Sequence, residues 1–192
     1  MNTKNSDTRK KILGTAGKLI YQQGIQATSI DLLVKTSGVS RKSIYHYFVN
    51  KDEIAAAVLE ARDLQWMEWF CRETEKVTHP RARILEMFNV LTGWFNSPDF
   101  HGCAFINTAG EMGNPADPLR LISKSHKQKL LNYALLLCEL AGCAQPAILA
   151  RQLLILIDGA ITVAKVMGDP EAAENAKTIA ITLLDKPVPA PV

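Results

Sequence analysis

The stretch Thr28–Ile54, "TSIDLLVKTSGVSRKSIYHYFVNKDEI", decides the fold, because it contains three helix starts and one tight turn. Thr28 or Ser29 can place a side-chain oxygen against the free N–H groups of a helix start, and Gly38 ends the helix that follows. Ser40 caps the next, "RKSIYHYF" (41–48), and Asn50 caps another whose first turn carries Asp52 and Glu53, anions that the helix dipole favours. About four residues centred on "SGVS" separate the first two of these helices, which is helix-turn-helix spacing. Val39 is placed to fill the crevice between them. Ile44 and Phe48, four apart, share one face that must turn inward. Arg41, Lys42, Ser43, Tyr45 and His46 are then left to the surface or the helix ends.

Upstream, "SDTRKKILGTAGKLIYQQG" (6–24) sets Ile12, Leu13, Ala16, Leu19 and Ile20 on one helical face, with Ser6 or Asp7 as cap and Gly24 as terminator. This head is basic. Residues 1–51 hold nine Lys and Arg against two Asp, a balance of +7, while the rest of the chain is net acidic and brings the total to +3. A basic head on an acidic body suggests a polyanionic partner for the head alone.

An exposed short helix of this kind suits the major groove of double-stranded DNA, where its N-terminal residues meet base edges. Arg41 and Lys42 stand in that first turn. Arg41 ranks first, because a guanidinium bonds guanine O6 and N7 bidentately. Tyr45, His46 and Tyr47 offer hydroxyls and an imidazole to phosphates, which fix register without reading sequence. Lys51, Thr28 and Ser29 stand at helix starts, where free N–H groups favour a phosphate. Ser40 caps the reading helix on the same surface, and Arg9, Lys10 and Lys11 add attraction that salt screens. Packing between helices is the competing role for Tyr45, Tyr47 and Phe48, and a solvated charge is the competing role for Lys42 or Lys18 taken singly.

Over roughly the first 55 residues the chain resembles the TetR family of transcriptional regulators. The resemblance rests on "YQQGIQATSI" followed by "GVSRKSIYHYFVNKDEI", with Tyr45, Tyr47, Phe48 and Lys51 forming the family's Tyr-x-Tyr-Phe-x-x-Lys signature. It implies that Arg41, Lys42 and Ser43 fall where bases are read, and Tyr45, His46 and Lys51 where phosphates are touched. The chain departs from the pattern in carrying "DLLVKT" where many relatives have "DIA", and Lys42 where a small residue is common, so operator sequence does not transfer. Further implications are a homodimer, a palindromic operator, and release from DNA by an effector.

The expected architecture is all-α, with about nine helices. A three-helix helix-turn-helix DNA-binding domain occupies residues 1–50, and a helical effector-binding and dimerisation domain 51–186. A disordered Pro-rich tail occupies 187–192. "QPAILARQLLILIDGAITVAKVMGDP" is apolar nearly all round, so more than one of its faces needs cover. With the stripe Ala172, Ala176, Ile179, Ala180, Leu183 and Leu184 it forms a candidate homodimer interface through helices at about 146–168 and 170–186. A buried central helix of a monomer is the alternative.

Residues 64–112 collect all three Trp, five of six Phe and three of five Met. Trp66, Phe70, Phe88, Trp94 and Phe105 are candidate walls of a pocket for a small hydrophobic effector, with Asn107, Glu111 or His101 as polar anchors. The same aromatics would equally serve as core. Cys103 follows Gly102 at the expected start of a helix, where the dipole makes a thiolate more available. One branch of the TetR family with a similar Gly-Cys step uses such a cysteine to sense electrophiles or oxidants. Packing as a small hydrophobe is the competing role.

The sequence argues against other classes. Its four His are dispersed, and no nucleophile elbow, zinc-protease motif or phosphate loop is present, so no enzyme, metal or cofactor is expected. His101 with Cys103 is the only conceivable catalytic pair, and it lacks an orienting group. The four cysteines lack metal or disulfide spacing, which fits a reducing cytoplasm. "MNTKNSDTRKK" offers no secretion signal, and the apolar run "LLILIDGAITVAKVM", interrupted by Asp158 and Lys165, reads as too short for a membrane span. An interaction or membrane-surface module using the basic head is the remote rival, and it would leave the helix-turn-helix spacing unexplained.

Overall fold

Polar caps start three consecutive helices where the sequence puts them. In the computed structural model, which describes residues 3–185, Ser29 Oγ accepts from Leu32 N at 3.1 Å, Ser40 Oγ from Ser43 N at 3.1 Å, and Asn50 Oδ1 from Glu53 N at 2.9 Å. Each bond satisfies a backbone donor that a helix start leaves open. Glu53 answers by accepting from Val49 N at 2.6 Å, which closes the entry to the fourth helix.

Among the described residues there are nine α-helices and no strand: α1 (Thr3–Gln23), α2 (Ile30–Ser37), α3 (Arg41–Tyr47), α4 (Lys51–Thr74), α5 (Pro80–Phe95), α6 (Ala104–Glu111), α7 (Pro118–Leu140), α8 (Pro146–Met167) and α9 (Ala172–Leu184). The all-α expectation holds. Because α1 begins at Thr3, Ser6 and Asp7 lie inside the helix and neither is its cap. The tail at 187–192 lies outside the described residues.

The chain divides into two compact units. One takes the chain up to Gln65 together with Ala104–His126, and the other takes Trp66–Cys103 and the chain from Lys127 onward. This differs from the division expected at residue 50. The reason is that α4 runs 24 residues without a break and its first half buries Ile54, Ala55, Val58 and Leu59 in the N-terminal core.

In the first unit Ile12, Ala16 and Ile20 of α1 are buried with Leu33, Val39, Ile44 and Phe48. Each large side chain buried this way stabilises by about 1.5–3 kcal/mol. The unit also buries two ionisable groups: His126 Nδ1 lies 2.8 Å from Asp63 Oδ1, and the Phe105 ring stacks on the imidazole at 3.7 Å. Pairing is what makes such burial tolerable.

In the second unit α8 and α9 pack on each other and on α5. The buried face of α8 is Leu149, Ala150, Leu153, Ile157, Ala160, Ile161 and Ala164, and that of α9 is Ala172, Ala173, Ala176 and Ala180. The small alanines let the two helices approach. Lys127 Nζ donates to Asp158 Oδ1 at 2.6 Å, giving the acid inside the apolar α8 sequence a partner. By length and composition α8 could cross a membrane: it has 22 residues, and its most apolar window has mean hydropathy 1.8. This corrects the reading of that segment as too short, which counted from Leu153 and missed the roughly two turns starting at Pro146. Its buried face belongs to the core of this unit.

Candidate nucleic-acid interface

The helix-turn-helix is assembled from α2 and α3. Gly38 ends α2 at φ 65°, the left-handed region that glycine enters without steric cost, and its N–H returns to Val34 O. Val39 is buried in the turn, and Ile44 and Phe48 anchor α3 from its inner face. That inward face leaves Arg41, Lys42, Tyr45 and His46 exposed on the outer one, with Ser29 and Ser40 exposed at the two helix starts. Ser43 is half-buried, and its hydroxyl lies 2.9 Å from that of Ser40. Arg9 of α1 lies over the Phe48 ring at 5.3 Å, so the basic helix is tied to the end of α3.

The structure therefore brings Ser29, Ser40, Arg41, Lys42, Tyr45 and His46 to the surface of one three-helix unit. Two further expected contacts are engaged by the protein itself. Thr28 is buried, and its hydroxyl donates to Gly24 O at 2.7 Å, so it braces the turn before α2 and does not face solvent. Lys51 Nζ donates to Ile25 O at 3.0 Å, which leaves two of its three donors for other partners.

A family model described as "Bacterial regulatory proteins, tetR family" matches residues 12–58, the segment that contains this unit from α1 to the first half of α4. Similarity to individual regulators extends beyond that segment. The protein is similar, at 27% identity over 187 residues covering 88% of this chain and 90% of the relative, to the HTH-type transcriptional repressor NemR of Escherichia coli. It is also similar to the crystal structure of SCO4454, a TetR-family transcriptional regulator from Streptomyces coelicolor, with TM-score 0.87 and 27% identity over 93% of this chain and 95% of that one. The chain belongs to the TetR family of transcriptional regulators. The HTH-type transcriptional regulator YxaF of Bacillus subtilis shares 46% identity, but over 54 residues that make up 28% of each chain.

Two residues of this TetR-family protein have roles at the interface that sequence reading missed. Asp31, in the first turn of α2, accepts from Arg41 Nη2. Its signal was compositional, since it is one of only two acids in the first 51 residues. Glu111, the last residue of α6, accepts from Ile25 N at 3.0 Å and Gln26 N at 2.7 Å. A carboxylate on two backbone donors is a strong, charge-assisted tie. Here it fastens α6 to the turn between α1 and α2. No local signal could have found it, because the partners lie 85 and 86 residues away.

The candidate pocket residues divide between the two units. Phe70 and Phe88 are fully buried in one, where Trp66 stacks on Phe70 at 4.7 Å and meets Trp94 edge-on at 5.7 Å. Phe105, Asn107 and Glu111 belong to α6 in the other, Phe105 buried and Asn107 exposed. Cys103, 5% exposed, immediately precedes α6. All four cysteines are free thiols.

Proposed function

We propose that this regulator is a cytoplasmic homodimeric repressor, released from a palindromic operator when a small hydrophobic molecule binds its C-terminal helices. The observation that carries the reading is the α3 surface, where Arg41, Lys42, Tyr45 and His46 stand exposed on a frame fixed by Ile44 and Phe48. The repressor sense is suggested by the whole-length similarity to NemR. Dimerisation is supported by apolar side chains left outside the core: Ile148, Ile155, Val163, Val166 and Met167 on α8, with Ile179 and Ile181 on α9. Two copies joined there would offer two reading helices to two half-sites.

The effector site draws on Trp66, Phe70, Phe88 and Trp94, which cluster within the second unit. Glu111 gives the route for release, because any movement of α6 pulls on the turn that leads into α2. The effector must bind the DNA-incompetent state more tightly for that route to operate.

The test is a titration of purified protein with the duplex upstream of its own gene. Scrambled duplex competes, at two salt concentrations. Specific binding that survives the higher salt and is reversed by an apolar compound is the expected result. Weak binding erased by salt, or a monomer in sedimentation, contradicts it.

A second reading, thiol-based sensing of electrophiles or oxidants, is favoured by the position of Cys103. The thiol is buried and immediately precedes α6, the helix that Glu111 fastens to the turn before α2. Release by N-ethylmaleimide that persists unchanged in Cys103→Ala contradicts this reading.

A further inference from the structure

We infer that Asp31 is a specificity-determining residue of the DNA-binding head, acting by holding the guanidinium of Arg41 in its reading position. The inference rests on the DNA-binding reading of α3 and deepens it. An acid facing DNA repels phosphate, and the head is otherwise strongly basic: nine Lys and Arg stand against Asp7 and Asp31 in residues 1–51. Asp7 lies in α1. Asp31 alone lies inside the helix-turn-helix, and its carboxylate takes Nη2 of Arg41, the first residue of α3.

Fold stability does not account for this pair. The two side chains are 54% and 80% exposed, and exposed ion pairs of this kind contribute little to folding. Nor does capping account for it, because Ser29 and Ser40 already serve the two helix starts. The helix dipole favours an acid in the first turn of α2, but it gives no reason for that acid to reach a residue ten positions on.

The geometry of arginine supplies the reason. A guanidinium has five N–H donors in a rigid plane. Asp31 takes one of the two Nη2 hydrogens, and the second, paired with Nη1 or with Nε, leaves one edge able to bond guanine O6 and N7 together. A long side chain that would otherwise sample many rotamers is held with that edge outward. On DNA the pair loses water and its attraction strengthens. Against a sequence where Arg41 finds no guanine, Asp31 still holds the guanidinium away from phosphate and its own charge faces the backbone, so the complex is weaker. Asp31 thus disfavours wrong sites as well as ordering the right contact.

The experiment is selection of bound duplexes from a pool randomised over the operator length, using the full-length wild type, Asp31→Ala, Asp31→Asn and Arg41→Ala. Affinities for selected and scrambled duplexes are then measured across salt. Circular dichroism melts establish that each variant is folded. Wild type is expected to prefer guanine strongly at one position of each half-site. Asp31→Ala flattens that position by about five-fold or more, within the range one bidentate contact discriminates. It also binds scrambled duplex more tightly, with a salt slope steeper by about one as the freed Arg41 turns to phosphate. Asp31→Asn, which keeps an acceptor but loses the charge, falls between the two. Adding Asp31→Ala to Arg41→Ala changes the base preference no further. An unchanged guanine preference in Asp31→Ala, or the same loss in the Arg41→Ala background, overturns the inference while leaving the regulator reading intact. A wild type that selects no motif overturns both.

Discussion

Gly24 and Glu111 meet at the turn that leads into the helix-turn-helix. Gly24 has φ 90°, and a Cβ added there would lie 2.7 Å from Glu111 Oε1. Backbone strain and collision with a hydrogen-bonded carboxylate act together, so Gly24→Ala is expected to destabilise by about 1–3 kcal/mol. Thermal melting checks this. Removing the carboxylate in Gly24→Ala/Glu111→Ala should leave the strain, so a double variant restored to wild-type stability would contradict the backbone part of the argument. On the DNA face the two adjacent cations should separate. Arg41→Ala is expected to cost about 1–3 kcal/mol against the selected duplex and to relax specificity at one position. Lys42→Ala should weaken selected and scrambled duplexes alike and lower the salt slope by about 0.9 if its contact is to phosphate. Anisotropy titrations at several salt concentrations distinguish the two outcomes. The caps Ser29, Ser40 and Asn50 could be read from sequence because each serves a backbone donor three residues away. The Asp31–Arg41 and Glu111–Ile25 contacts could not, because the chain must fold before such partners are neighbours.

At the level of elements, α3 and α8 bury one face and present the other, with opposite chemistry outside. In α3 the outer face is charged and aromatic. In α8 it is apolar: Ile155 is 70% exposed and Val166 77%. Such a face suits a second copy of the chain. Ile155→Glu is therefore expected to leave the fold within about 0.5 kcal/mol of wild type, as surface changes usually do. It should also shift the protein from dimer to monomer in sedimentation velocity. A variant that remains dimeric would move the interface elsewhere. The hydrophobic pattern announced both helices and the inward face of α3, but not how the apolar faces of α8 and α9 divide. Ile179 illustrates this: it belongs to the same sequence stripe as Ala176 and Ala180, yet it is 51% exposed while they are buried. Helical periodicity places the three within reach of one face, and only the packing of α5 and α8 determines which edge of that face is covered.

Over the whole molecule, two thiols carry a pH dependence. Burial first, and then the negative charge of Glu75, push the Cys71 thiol up to about 11. Burial first, and then Cys143, push Cys138 up to about 12. Both groups ionise less readily folded than unfolded, so their stabilisation is complete below the ordinary value of 9.0 and is lost as pH rises from there through 11 and 12. Melting temperature should therefore fall above pH 9.0, and less steeply in Cys71→Ala/Cys138→Ala. A double variant with the wild-type slope would assign the loss to other groups. For the same reason, native protein at neutral pH should react with N-ethylmaleimide at fewer than its four thiols, and denatured protein at all four.

What the sequence determined by itself is what short-range physics controls: helix starts and stops, the turn at Gly38, the inward pair Ile44 and Phe48, and the basic surface opposite them. These depend on spacings of three or four residues and on net charge, and folding does not rearrange them. Tertiary structure decided the rest. It divided the chain into units that cut through α4 and α7, and it distributed the aromatic candidates between them. It joined Glu111 to the turn before α2, and it gave Arg41 an acidic partner. Each of these depends on which surfaces meet when distant segments bury their apolar faces together. That choice is made by the summed packing of many residues, which no local pattern contains.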